Sequence, residues 1–135
     1  MREFFLPLIF IVLYFTVTVG LTVLIETPVI VRGKVTDNKA YIRAVNVVTN
    51  VALNLVLFGL QSLGNGAVGT RSVKALSLIW FVLGEAVLVP VSEALAYRKI
   101  SEAGTGRIFG VTFLANLASC AAGLVLGVVI WYILN

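Results

Sequence analysis

Apolar positions along the chain fall into long uncharged runs separated by short clusters of charge. Phe4 to Ile25, Ala44 to Leu63 and Ile108 to Leu134 carry no charged residue, and Ala75 to Tyr97 is interrupted only by Glu85 and Glu93. Crossing about 30 Å of hydrocarbon takes about 20 helical residues at about 1.5 Å each. Each run is long enough. The pattern predicts one all-α polytopic membrane domain over 1–135, with four transmembrane helices at 4–25, 44–63, 75–97 and 108–134. A closed β-barrel is disfavoured, because runs such as Leu55 to Leu60 are continuously apolar and lack strand alternation. Arg2 before the first run resembles the start of a signal peptide. That run is longer than a signal h-region and no small-x-small site follows it, so it reads as a retained helix.

The loops set an orientation. Arg32, Lys34, Lys39 and Arg43 lie between the first two spans, and Arg98, Lys99 and Arg107 between the last two, against Arg2, Arg71 and Lys74 on the other side. Basic loops stay on the cytoplasmic face. The expected location is therefore a prokaryotic cytoplasmic membrane, with both hairpin loops in the cytoplasm and both termini outside. Phe4, Phe5, Trp131 and Tyr132 would mark the outer interface, and Tyr41 and Tyr97 the inner one. Gly64-Asn65-Gly66-Ala67-Val68-Gly69 has the letters of a dinucleotide fingerprint. Lacking a strand before it and a βαβ context, it reads as an external turn.

Composition sharpens this. Of 135 residues 60% are apolar and 12% charged, and mean hydropathy is +1.07; soluble domains carry about a quarter charged residues. The net charge of +4 comes mostly from the hairpin loops. It fits contact with the lipid bilayer and its anionic headgroups rather than nucleic acid. There is no histidine, and Cys120 is the single cysteine. His-ligated haem, His-rich zinc sites, internal disulfides and Ser-His or Cys-His nucleophiles are excluded within the chain. No cofactor is expected, and Cys120 reads as a small buried packer.

Candidate chemistry lies in the polar exceptions. Glu85 falls near the middle of the third span, where carboxylates commonly face the bundle interior and mark ion or proton pathways. Glu93 lies about 12 Å nearer the cytoplasm and, on a regular helix, is rotated by about 80°. Pro90 between them cannot donate to the Ala86 carbonyl, so it predicts a kink and a free carbonyl beside Glu85. Asn46, Asn50 and Asn54 form an i, i+4, i+8 stripe with Thr49 beside it, and Asn116 groups with Thr112 and Ser119. These amides either line a cavity or pair helices, two compatible roles. Ala115, Ser119, Gly123 and Gly127 make a small-residue stripe that predicts close helix packing.

The order Glu26, Arg32, Arg43, Asn50 recurs as Glu93, Arg98, Arg107, Asn116, which describes two tandem hairpin repeats of the same orientation. On that basis Glu26, Glu93, Asn50 and Asn116 gather near the cytoplasmic mouth, Asn46 lies at its rim, and Glu85 sits deeper. The result would be an inward-open polar vestibule.

Thr49-Asn50 with Asn54, then Glu85 with Glu93 and Tyr97, then Asn116 with Ser119 and Gly123, resembles the pattern of an uncharacterised family of small four-span bacterial membrane proteins. The resemblance covers the last three spans and implies the fold but no activity.

These features point first to a small secondary transporter or channel for a cation, proton or small polar solute, assembled as a homodimer, and not to an enzyme. The ion-binding candidates are Glu85, Glu93, Glu26, Asn46, Asn50 and Asn116. A non-transporting membrane subunit is the alternative. A third reading is a lipid-processing enzyme using Glu26, Glu93, a metal ion and Arg98, weakened by the absence of any aspartate besides Asp37.

Overall fold

In the computed structural model of the chain, the structure describes residues 2–64, 75–76, 79–80 and 82–134. It is all-helical. Helix α1 covers Arg2–Arg32 and α2 covers Lys39–Gly64. A π-helical segment, Gly84–Leu88, runs directly into α3, Val89–Tyr97, and α4 covers Thr105–Leu134. The helices pack in a ring: α1 against α2 and α4, and α3 against the same two. Two of them, over Phe15–Arg32 and Thr105–Leu126, are long and apolar enough to cross a membrane. The glycine-rich turn, Arg71 and Lys74 lie outside the described residues, as do the side chains of Phe4, Phe5 and Trp131.

The helix ends follow from local chemistry. Asn38 caps α2: its Oδ1 accepts the Tyr41 N–H at 3.0 Å, satisfying one of the orphan donors of the first turn. At the end of α1, Val35 N–H bonds the Ile30 carbonyl at 3.2 Å and Lys34 N–H bonds that of Val31 at 3.0 Å. This is a Schellman closure, with Val35 and Ile30 buried together. Its left-handed position is taken by Lys34 (φ 54°) and not by a glycine. Gly33 stands one residue earlier for a different reason: a Cβ there would run into the Val111 side chain on α4. Lys34→Gly should therefore raise the unfolding free energy by about 0.5–1 kcal/mol, because a lysine pays for a left-handed backbone that glycine adopts freely. Thermal unfolding in detergent checks this.

The two basic loops meet at one end of the bundle. The Ser101 hydroxyl donates to the Val35 carbonyl, and the Tyr41 hydroxyl to the Ala96 carbonyl at 3.1 Å. Just inside them Ile30, Val35, Ile42, Ala94, Tyr97 and Ile108 form the apolar core. Elsewhere burial is inverted relative to a soluble bundle. Leu24, Val48, Leu117 and Val128 are exposed, at 74%, 66%, 61% and 67%, whereas Glu26, Asn46, Glu93, Thr112, Asn116 and Ser119 are buried. An apolar exterior around a hydrogen-bonded polar centre is stable where hydrocarbon is the surrounding solvent.

Three helices outrun the uncharged stretches that predicted them, and α3 ends at Tyr97 as its stretch does. Span 4–25 becomes Arg2–Arg32, so Glu26 lies within α1 rather than at its end. Helix α2 begins at Lys39 and α4 at Thr105. A run of uncharged residues stops at the first charge, and a helix does not.

Candidate functional site: a buried carboxylate pair

Glu26 on α1 and Glu93 on α3 are 1% and 0% exposed, and their carboxyl groups lie within hydrogen-bonding reach of each other. Donors from the other two helices hold them. Thr49 Oγ1 of α2 lies 2.7 Å from Glu93 Oε1. Asn116 Nδ2 of α4 donates to Glu93 Oε2 at 2.7 Å. Ser119 Oγ, one turn along α4, lies 2.5 Å from Glu26 Oε1. All four helices thus meet at the pair. Among the described residues the groups acting on Glu26 are Glu93, Ser119 and Glu85, none of them cationic.

Proton accounting limits what the pair can be. Each hydroxyl holds a single proton. That of Ser119 is contested by Glu26 Oε1 and by the Asn116 carbonyl at 3.0 Å. That of Thr49 is contested by Glu93 Oε1, the Val45 carbonyl at 3.0 Å and the Asn46 carbonyl at 3.2 Å. Glu26 Oε2 is buried and receives no donor. Two carboxyl groups in contact need something positive between them, and a shared proton or a small cation meets that need.

The π-helical segment explains how Glu85 joins the site. Val89 N–H bonds the Gly84 carbonyl, an i→i−5 step that inserts one extra residue. With that insertion Glu85 and Glu93 differ by about 20° of rotation rather than the about 80° of a regular helix. Glu85 is half-buried and close enough to Glu93 and Cys120 for charge to act between them. Ser92, which a regular helix would place nearer the Glu85 face, is exposed. Pro90 is fully buried just after the segment. The break takes the form of a register change. Continued by one residue, the i→i−5 register sets position 90 opposite the Glu85 carbonyl, not that of Ala86, and proline has no N–H to give.

Other candidates separate. Asn46, expected at a rim, is 0% exposed; its Oδ1 accepts the Tyr97 hydroxyl at 2.8 Å, and its Nδ2 is buried without a partner. Tyr97, expected at the membrane interface, is fully buried and stacks edge-on against Tyr41 with ring centroids 6.4 Å apart. A buried tyrosine needs a partner for its hydroxyl, and Asn46 supplies one. Asn50 is buried, and its carbonyl accepts the Asn54 amide at 2.9 Å. Ser119, grouped with the packing stripe, is a donor to the carboxylate site. At Gly123, where close packing was expected, the residue is exposed and a Cβ would meet nothing within 4 Å among the described residues. Gly127 is helical, and its packing lies outside the described side chains. Arg98 is exposed, and among the described residues no group of three acidic or sulfur ligands could hold a metal ion.

Among the described residues, the side of the pair expected to open as an inward vestibule is filled. Ile30, Ile42, Ala94, Tyr97 and Ile108, between the carboxylates and the loops, are packed and buried. Polar groups continue in the other direction, through Asn50 to the half-buried Asn54 and Glu85. No protein-family model, curated protein or solved structure matches the chain.

Proposed function

We propose that the chain is a four-span membrane protein that carries a proton or small cation, with the Glu26–Glu93 pair as its occluded binding site. The observation that carries this reading is the pair itself: two buried carboxyl groups within hydrogen-bonding reach of each other, with only neutral donors around them among the described residues. Such groups are costly in a membrane and are kept there chiefly on ion and proton paths. In this reading α2 and the 75–97 segment span as well, the basic loops are cytoplasmic, and the apolar layer around Ile30 and Tyr97 is the closed inner gate. Each hairpin contributes one carboxyl, as expected of two tandem repeats with a site at their interface. The likeness to small four-span bacterial proteins is part of the same proposal. So is a homodimer whose copies meet at the open Gly123 face, since four helices alone enclose little space.

Flux into proteoliposomes under an imposed pH or cation gradient tests this. Glu26→Gln and Glu93→Gln should each slow flux at least about tenfold, the equivalent of about 1.4 kcal/mol in a barrier. Glu102→Gln, on the exposed loop, should not. A second reading, polar pairing in a non-transporting subunit, is favoured by the full engagement of both Glu93 oxygens. Folded parent protein that moves no more ion than empty liposomes would establish it in place of transport.

A further inference from the structure

We propose that the cleft between α1 and α2 at the loop end is a binding site for the phosphate headgroup of an anionic phospholipid. The cleft, of about 520 Å³, is lined by Val23, Leu24, Thr27, Pro28 and Val31 of α1 with Arg32, Lys39 and Arg43 above them. It goes beyond the carrier reading and shares with it only the membrane location of the chain.

The lining is amphipathic in the order a lipid requires. Leu24, Thr27, Pro28 and Val31 recur at helical spacing and form one face of α1. That face is a mostly apolar track for an acyl chain. Arg32 sits in the last turn of α1, and Lys39 and Arg43, one turn apart in the first turns of α2, stand across the mouth from it. All three are exposed, and no carboxylate among the described residues is ion-paired with any of them. Three convergent cations with no internal counter-charge call for an anion, and guanidinium groups suit phosphate oxygens through paired N–H donors.

An independent observation lies deeper in the same cleft. Thr27 is 8% exposed, and its hydroxyl is buried with no hydrogen-bond partner. A helical threonine commonly satisfies itself on the carbonyl one turn back, as Thr112 does with Ile108 at 2.7 Å. Thr27 lines the cleft while its hydroxyl oxygen lies just behind the wall without a partner, so a small shift of the wall on lipid binding would bring its unused proton to a phosphate or glycerol-ester oxygen.

Native mass spectrometry of the detergent-solubilised protein, titrated with phosphatidylglycerol and with phosphatidylcholine of the same acyl chains, tests the site. Phosphatidylglycerol should bind more tightly. Removing each cation should weaken it about fivefold, and the triple variant Arg32→Ala/Lys39→Ala/Arg43→Ala about a hundredfold, at about 1 kcal/mol per charge. Thr27→Val, which keeps the shape and removes the hydroxyl, should weaken it severalfold without altering the charge. The control Lys99→Ala/Arg107→Ala should leave it unchanged. Equal loss in the control and the triple variant would overturn the site in favour of diffuse attraction. Competition by millimolar inorganic phosphate with no dependence on acyl chains would overturn the lipid assignment. The Glu93→Gln protein should bind phosphatidylglycerol as the parent does, so failure here and failure of the carrier reading are separately visible.

Discussion

Glu93→Ala should lower stability in detergent by about 3–4 kcal/mol, and Glu93→Gln by less than about 1 kcal/mol. Alanine leaves a cavity at a fully buried position and strands one N–H of Asn116. The other N–H stays on the Thr112 carbonyl at 3.1 Å. Thr49 has a retreat, because its hydroxyl can turn wholly to the Val45 carbonyl at 3.0 Å. The loss is therefore mostly cavity plus one orphaned donor. Glutamine fits in one orientation only. With its carbonyl toward Asn116 and its amide toward Thr49, the threonine accepts from the amide and donates to Val45. Its second N–H then has Glu26 within reach. Every donor is placed, and the volume is unchanged. Thermal melts should separate the two variants by about 10 °C. A Glu93→Gln protein as unstable as Glu93→Ala would mean that the pair is held by charge and not by this pattern of hydrogen bonds.

That difference also gives the flux experiment its meaning. A variant that removes the titrating group yet keeps the fold separates carrying an ion from holding helices together. The inverted burial makes the separation possible. Leu24, Leu117 and Val128 face outward, so the helices gain little from apolar contact with one another when lipid is the alternative. Thr49, Asn116, Ser119 and Tyr97 supply interhelical hydrogen bonds in compensation. The carboxylates are embedded in the same network that orders the bundle.

Helix content, the two apolar spans and most of the polar cluster were legible in the sequence, because long uncharged runs and polar intruders are local signals. What was not legible depended on the rotation of one helix against another. The i, i+4 rule sets Asn46, Asn50 and Asn54 on one stripe, yet only packing turns Asn46 to Tyr97 and Asn54 back onto its own helix. Ser119 belongs to a small-residue stripe by spacing. Its hydroxyl matters because α1 brings Glu26 opposite it. Tyr97 looked like an interfacial aromatic because it ends an uncharged run, and only the packing of α2 brings Asn46 and the Tyr41 ring against it. Pro90 announced a break but not its kind. The extra residue at Gly84–Leu88 reverses the assignment of faces, bringing Glu93 toward Glu85 and turning Ser92 away. No spacing rule on a regular helix contains that residue. Thr27 and Glu26 Oε2 escaped for the same reason: a missing partner is a property of the assembled bundle.

Gly33→Ala should cost about 1–3 kcal/mol, an unusual price for adding one methyl group near a helix end. In a helix interior, alanine for glycine is worth close to 1 kcal/mol of stabilisation. Here an added Cβ would collide with both methyl groups of Val111 and approach the Val29 carbonyl to 3.0 Å. Valine cannot swing clear, since its branched Cβ leaves it essentially one rotamer in a helix. Relief must come from separating α1 from α4, and those two helices carry Glu26 and Ser119. The strain is thus transmitted toward the carboxylate site. Gly84 offers the contrast: a Cβ there meets the tip of Leu53, a flexible side chain that can rotate away, so Gly84→Ala should cost less than Gly33→Ala. Val111→Ala in the Gly33→Ala background should restore most of the lost stability in a thermal melt, because it removes the two methyl groups that block the approach. Failure of that double variant to recover would place the cost in the α1 terminus itself, at the Schellman closure around Lys34, and not in the contact between α1 and α4.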